Sequence, residues 1–395
     1  MIKDVKAPKK TLSDLSVFSR DAYGYFGVHP LKNQEGYVFR VFAPSAEAIS
    51  VCGDFNGWDP RVTPMKEIGE SGVWEAFVEQ RLPDGCKYKY FLRRAEKECF
   101  KSDPFGICVE GNSNGASAVA SLDYVWRDGG WLSYRKRCFS SDAAPKQAIH
   151  IYRVDPLWWK RHKDGTAYTP RELATELIPY VKQMGYTHVE LLGVTGGLAT
   201  KGAPDAFFAP SPLFGAPKEL MAFIDSMHEA GVGVILSWNP FCFADTEHGL
   251  SDFDGTPLFG EAREGKDACF FDLERPAVRN FLTANALFWV SKYHVDGLSV
   301  AAERAQAFLA EWKDSVRERF PDVMTLSGER RGLRVTVMGS EFGDTWTEDC
   351  QRPLAWLLLD QYMHNERQLL TAKENHAFLS CSTGDGGKVL NGKTN

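Results

Sequence analysis

Residues 285–303 read NALFWVSKYHVDGLSVAAE, and the change of period inside this stretch decides the fold. Up to Tyr293 the apolar positions recur at helical spacing, with Leu282, Phe288 and Trp289 facing a core. Tyr293 and His294 close the helix, and Val295–Val300 follows as a short buried strand. A helix feeding a strand in this way is one unit of a parallel α/β layer or barrel. Reacting groups in such folds stand where the strands end, at the carboxyl edge. The residues at that edge here are Ser299, Ala301 and Glu303.

The same unit recurs on both sides. Ala148–Val154 opens the series, and Thr169-Pro170-Arg171-Glu172 starts a helix, with a Thr cap, Pro in the first turn and Glu three residues after the cap. That helix runs on Leu173, Leu177 and Val181 to Gly185, with a kink predicted at Pro179. Thr187–Val194 is a strand, Lys218–Ala230 an amphipathic helix ended by Gly231, and Val232–Trp238 a buried strand. A helix from Pro276 leads into the strand at Val295; Arg304–Phe320 and Val323–Leu326 add one more helix and strand. The alternation predicts a parallel sheet closed as a (β/α) barrel.

Upstream the period changes to that of a β-sandwich. Val38–Phe42, Ala48–Val51, Val73–Phe77 and Lys87–Leu92 are β-branched and aromatic runs separated by Pro, Gly and Asn turns. The organisation expected is a charged lead over 1–26 with a short helix around Leu12–Phe18, a sandwich over 27–122, and a linker over 123–147 anchored by Trp126 and Trp131. A barrel over 148–345 follows, then a helical segment over 346–377 and a Ser/Gly/Lys-rich tail over 378–395 expected to be disordered.

A chain of 395 residues with 44% hydrophobic and 25% charged residues has the composition of a globular protein with a large core. A formal charge of −6 offers no basic face to nucleic acid, and no Lys/Arg run suits a membrane surface. MIKDVKAPKKTL lacks the apolar core of a signal peptide, and apolar runs such as Ala355–Leu359 are too short to span a bilayer, so a cytoplasmic location is expected. Nine cysteines without a C-x-x-C pair fit reduced thiols. No phosphate loop or metal-ligand cluster stands out, so neither cofactor nor metal is expected.

Two sets of motifs carry a resemblance. Gly53-Asp54-Phe55-Asn56-Gly57-Trp58-Asp59, Tyr88-Lys89-Tyr90-Phe91 and Asp103-Pro104 together resemble a family 48 carbohydrate-binding module. IYRVDPLWWKRH, YTPRELATELIPYVKQMGYTHVELL, FDGTPLF and NFLTANALFWVSKYHVDGL resemble the glycogen branching enzymes of glycoside hydrolase family 13. VTVMGSEFG near 333–343 resembles that family's eighth barrel strand, whereas two strand-helix units that would precede it have no counterpart between Glu329 and Leu333. The resemblance therefore implies an N-terminal β-sandwich followed by an incomplete (β/α) TIM-type barrel of about six strands.

It also implies where chemistry should be. In the fourth-strand motif Ser299 stands where the family has an Arg and Ala301 where it has the Asp nucleophile. Ser237 and Cys242 replace an Asp and a His at the third strand, Ser327 replaces the general acid, and Gly202 replaces the Tyr under the reacting sugar. Retaining chemistry needs a nucleophilic carboxylate and a second carboxyl about 5–5.5 Å away, and neither aligned position supplies one. Glu303 and Glu329 are the nearby substitutes, read either as displaced catalytic acids or as solvated loop charges. Cys242 has no His/Asn set with it; His248 is a loop residue six positions on.

In the sandwich the resemblance implies Trp58 as a stacking platform, Lys89 as a donor to sugar hydroxyls and Phe100 as a second platform. A pyranose offers apolar C–H faces to aromatic rings and hydroxyls to polar groups at the rim. The other reading packs Trp58 onto its own sheet or a neighbouring domain. Three expectations follow. The chain is a non-catalytic binder of glycogen or starch, an active glucan transferase with displaced carboxylates, or a partner subunit associated with an active branching enzyme.

Overall fold

The computed structural model describes residues 19–32, 34–111, 114–139, 149–196, 203–262, 268–300, 305–329, 334–337 and 378–381, with side chains through residue 326. It gathers into two compact units, one of Met1–Asp123, Thr195–Pro217 and Asn239–Trp289, the other of Tyr124–Val194, Lys218–Trp238 and Val290–Asn395.

The first unit starts with β1 (Gly27–Pro30), β2 (Tyr37–Phe42), β3 (Ala48–Gly53), β4 (Lys66–Glu67), β5 (Val73–Val78), β6 (Lys87–Arg94), β7 (Lys97–Lys101) and β8 (Ser117–Ala118). They make two antiparallel sheets, β1-β2-β5-β4 and β3-β6-β7, with β8 also paired to β6. Alternation along β6 buries Tyr88, Tyr90 and Leu92 while Lys87, Lys89 and Phe91 fall on the outer face. Tyr88 meets Phe39 of the facing sheet edge-on at 5.1 Å.

Burying two tyrosines requires a partner for their hydroxyls, and Asp103 provides it. Tyr88 and Tyr90 donate to its Oδ2 at 2.7 and 3.1 Å, and Phe105 N–H donates to Oδ1 at 2.9 Å. Burial nevertheless pushes the carboxyl up to about 6. Asp103→Ala strands both hydroxyls in the core. The expected cost is roughly 2–4 kcal/mol, from about 1–3 per unsatisfied group, read as a lower urea midpoint; an unchanged midpoint would refute this role.

In the second unit the chain forms α1 (Gly129–Phe139), β9 (Ile149–Val154), α2 (Pro170–Gln183), β10 (His188–Leu191), α3 (Pro217–Glu229) and β11 (Gly233–Ser237). The cap on α2 is as the spacing predicts: Glu172 N–H donates to Thr169 Oγ1 at 3.3 Å and Thr169 N–H to Glu172 Oε2 at 2.9 Å. The helix continues through Pro179. After β11 come three short strands of the first unit, β12 (Cys242–Ala244), β13 (Gly260–Ala262) and β14 (Ala268–Phe271), in the order β12-β14-β13. With three or four residues each they carry no readable period. The chain then runs through α4 (Pro276–Tyr293), β15 (Gly297–Val300), α5 (Gln306–Arg319), β16 (Met324–Glu329), β17 (Arg334–Val337) and β18 (Phe378–Cys381).

The main sheet has the order β17-β16-β15-β11-β10-β9-β18. Its five central strands are parallel, and the described strands do not close into a barrel. The fold is therefore the sandwich plus an incomplete barrel-type sheet.

Three details differ from the sequence reading. The stretch resembling an eighth barrel strand pairs as β17 antiparallel to β16. A parallel return requires a crossover of a dozen or more residues, and only residues 330–333 separate the two strands. A hairpin is what that length permits. Phe378–Cys381, in the tail expected to be disordered, pairs antiparallel with β9, whose outer edge otherwise presents unpaired backbone groups. The expected linker contains α1, a three-turn helix. The expected helices at Leu12–Phe18 and in 346–377 lie outside the described residues. Among those described, no helix is long and apolar enough to cross a membrane, no residue group fits a metal ion, and the cysteines are free thiols.

Candidate functional site

Parallel strands in register put side chains of one row on the same face. From the amino-terminal end, one face carries the row Ile151, His188, Gly233 and then the row Arg153, Glu190, Ile235, Gly297, Met324. Ser237, Ser299 and Leu326 make the next row, at the carboxyl edge. The apolar members Ile149, Ile151, Ile235, Met324 and Leu326 form one core cluster with Phe139 of α1. This is the face a closed barrel would turn inward.

Ser237 and Ser299 thus stand side by side where the sequence places its vestigial positions. Trp238 N–H donates to Ser299 O at 2.7 Å, locking the two strand ends together. Neither side chain is a carboxylate. Ala301, Glu303 and Gly202 lie outside the described residues. Ser327 occupies the register position of Val300, one step from the Ser299 row, and Glu329 that of Arg334. Cys242 begins β12 in the first unit, where Asn239 Nδ2 donates to its Sγ at 3.2 Å. Burial pushes that thiol up, so it stays protonated and a poor nucleophile. His248 packs over Gly115, where an added Cβ would lie 2.1 Å from the imidazole.

Two acids near this edge escaped the sequence reading. Glu190 is 2% exposed and pairs with Arg153, Nε to Oε2 2.7 Å. Asp155 extends the Ser237 row just beyond β9. Its Oδ1 accepts Leu157 N–H at 3.0 Å, and burial pushes its carboxyl up to about 6. Its signal was its place, an acid one residue past a strand end in R-V-D-P. Glu190 is committed to an ion pair and Asp155 to its own turn. Neither is arranged as a free nucleophile opposite an acid.

In the sandwich, Trp58 sits in the Gly53–Asp59 turn with φ +62°. Asn56 builds that turn by accepting Gly53 N–H at 2.9 Å and donating to Val51 O at 2.9 Å. The indole N–H donates to Asp54 Oδ1 at 3.0 Å, while Asp54 Oδ2 accepts Lys87 N–H at 2.8 Å. The ring is therefore held at the Lys87 end of β6, half-buried rather than sunk in the core. Phe100 is 39% exposed and lies 5.2 Å from Phe91, its register partner. Lys89 shares that outer face, and its ammonium donates to the Asn114 carbonyl; burial lowers its pKa. Next to it, Lys101 Nζ donates to the Glu247 and Ser251 carbonyls at 2.6 Å each, so the loop around 245–256 runs along this sheet's end. The structure brings Lys89 and Phe100 to one face and sets Trp58 in a turn at the end of the adjacent strand.

Residues 25–106 match the family model for Carbohydrate-binding module 48 (Isoamylase N-terminal domain). The chain is 35% identical to the 1,4-alpha-glucan branching enzyme GlgB of Aquifex aeolicus over a match covering 91% of this chain and 62% of that protein. The chain is a relative of the 1,4-alpha-glucan branching enzymes. A second such enzyme, from Methylococcus capsulatus, is 37% identical over 88% of this chain and 52% of its own length. This branching-enzyme relative thus spans about half to three fifths of the length of those two proteins. Its fold resembles a putative alpha amylase from Salmonella typhimurium, with TM-score 0.60 and 23% identity, covering 78% of this chain and 50% of that one. It also resembles pullulanase type I from Bacillus subtilis, with TM-score 0.63 and 21% identity, covering 81% and 48%. At these identities the two structures speak to fold alone.

Proposed function

We propose that this branching-enzyme relative binds α-glucan, such as glycogen or starch, in the cytoplasm and neither cleaves nor transfers it. The observation that carries the reading is the pair Ser237 and Ser299 at the carboxyl edge, followed in sequence by Ala301. Hydroxymethyl and methyl groups replace the groups that retaining chemistry needs. Positioned acid catalysis contributes about 10²–10⁴-fold, and losses among groups that act together leave activity near background. Binding itself falls to the module, with Trp58 stacking on a sugar face and Phe100 and Lys89 along the adjoining sheet.

Iodine staining of amylose after incubation tests the catalytic half, because branching shifts the colour and binding does not; no shift is expected. Retardation in native gels containing glycogen tests the binding half. Trp58→Ala is expected to weaken it about tenfold, equivalent to ~1.4 kcal/mol. Retardation that is equal in parent and variant would remove Trp58 from the reading. A gel shift only after addition of an active branching enzyme would favour a partner-subunit role.

One observation favours a second reading, a transferase with displaced acids. Asp155 stands one residue past the end of β9, at the carboxyl edge that also carries Ser237 and Ser299, and burial there pushes its carboxyl up to about 6, the range of a working general acid. New α-1,6 linkages made by the purified chain and lost in Asp155→Asn would establish it.

A further inference from the structure

Trp158 and Trp159 follow β9 as neighbours and take opposite places. Trp159 is 5% exposed, and its indole N–H donates to the buried Tyr152 hydroxyl at 3.0 Å. Trp158 keeps 41% of its surface open. Its backbone N–H donates to Asp155 O at 3.1 Å, which holds it beside the carboxyl edge of the parallel strands.

A single exposed indole is ordinary, but this one carries a guanidinium. Arg161 lies over the Trp158 ring, 3.6 Å from its centre, as a cation–π stack. Arg161 is itself fixed, Nε donating to Leu157 O at 3.2 Å and Nη1 to Gly165 O at 3.0 Å. These bonds belong to a hairpin in which Arg161 pairs with Ala167, His162 N–H donates to Thr166 O at 2.9 Å, and Asp164 Oδ1 accepts the N–H and hydroxyl of Thr166 at 3.0 and 2.7 Å. Two ion pairs tie the hairpin to α2, Lys160 to Glu176 at 2.7 Å and His162 to Glu172 at 3.3 Å. Indole and guanidinium are therefore placed before any ligand arrives, and a ligand that uses them has little left to order.

A guanidinium has five N–H donors in one plane. The two carbonyl bonds leave Arg161 Nη2 without an acceptor among the described residues, and Nη2 is not one of the atoms shut away from solvent. With one ring face taken by Arg161, the open surface of Trp158 is the other face and the rim. A flat apolar surface beside an accessible N–H suits a pyranose, which offers C–H groups on its face and hydroxyls at its edge. Four Lys/Arg meet four Asp/Glu over residues 155–176, so no surplus of positive charge selects an anion instead.

We propose that Trp158 and Arg161 form a second glucan site in the sheet unit, in which one glucose ring stacks on the indole and a hydroxyl accepts from Arg161 Nη2. The inference rests on the glucan-binding reading above and adds to it a platform outside the module.

The test is fluorine NMR of the full chain labelled with 5-fluorotryptophan and titrated with maltoheptaose. Trp158→Phe and Trp58→Phe assign the two resonances, and the dispersion of the remaining ones shows that each variant folds. Maltoheptaose is expected to move the Trp158 resonance in the parent and, with an unchanged midpoint, in Trp58→Ala. Arg161→Ala should raise that midpoint about threefold or more, the loss of one hydrogen bond. Inorganic phosphate at the same concentration should leave the resonance in place. If the Trp58 resonance responds to maltoheptaose while that of Trp158 stays fixed, the second site fails and the module reading stands. If neither responds, both fail together. A Trp158 response that disappears in Trp58→Ala, or that phosphate reproduces, would overturn a separate site for a neutral sugar.

Discussion

Asp296→Ala is expected to cost about 3–5 kcal/mol, the range for removing one partner of a buried charge pair, and to bring the chain close to its unfolding threshold. Asp296 is fully buried at the amino end of β15. Its carboxylate accepts from Val234 N–H at 2.6 Å, Trp131 Nε1 at 2.8 Å, His228 Nε2 at 2.9 Å and Arg135 Nη1 at 2.9 Å. Burial opposes its ionisation, but the charges of His228 and Arg135 outweigh that and hold it well below the usual carboxylate range. Arg135 also reaches Asp322 at 2.7 Å, and His228 reaches Asp128 at 3.1 Å. Removing Asp296 therefore leaves a guanidinium and an imidazolium short of charge in the interior. Against a typical total of roughly 5–15 kcal/mol, that is a large share.

The comparison variant is Glu176→Ala, which breaks the exposed Lys160–Glu176 pair of 2.7 Å and should change stability by about 0–1 kcal/mol. Urea midpoints of both variants decide the matter. Equal small shifts would mean that the buried network contributes nothing.

Raising the pH should dissolve part of the same network. Burial alone favours a neutral His228, yet Asp296 and Asp128 on its two sides lift its pKa to about 9. Both ring nitrogens face carboxylate oxygens, which only the imidazolium can satisfy. Because the folded value lies above the unfolded value of about 6.5, the stabilisation is fully present below pH 6.5 and is lost as pH rises through 9. The shift corresponds to about 3 kcal/mol.

The other groups facing this imidazole are Arg135, charged throughout, and His188 and Trp131, the latter stacked at 5.5 Å. His294 joins through Asp128 at 2.8 Å. The unfolding free energy from urea titration should fall by that amount between pH 6.5 and pH 10 in the parent. His228→Gln should start lower and lose much less over the same interval, which separates this proton from the lysines and tyrosines that also titrate. A parent and variant that fall in parallel would show that the buried charge lies elsewhere. Asp103 and Asp155 act in the same direction at lower pH. Their folded values are raised to about 6, so their cost develops between roughly pH 4 and 6, below the His228 window.

The elements legible in sequence are those whose cause is local. Thr169 and Glu172 cap α2 because both lie within one turn, and Tyr88, Tyr90 and Leu92 declare a half-buried strand by alternation. Helix α1 was not legible. Its inward positions are Trp131, Arg135 and Phe139, four residues apart, but an arginine in the middle breaks the apolar period. Only Asp296 and Asp322, more than 150 residues away, make that arginine an interior residue. Asp155 and Glu190 were missed for a related reason: an acid reads as solvated until the strands beside it are in place.

What Ser237, Ser299 and Ala301 are does not depend on the fold: none of them can become a carboxylate. That they stand at the family's catalytic positions is what the resemblance implies. The tertiary structure decided the rest: which edge those residues share, that β17 returns as a hairpin, and that His188 Nε2, over Gly233, has no partner among the described residues. Each of these depends on what long-range pairing places beside a residue, and burial and charge balance are properties of that neighbourhood.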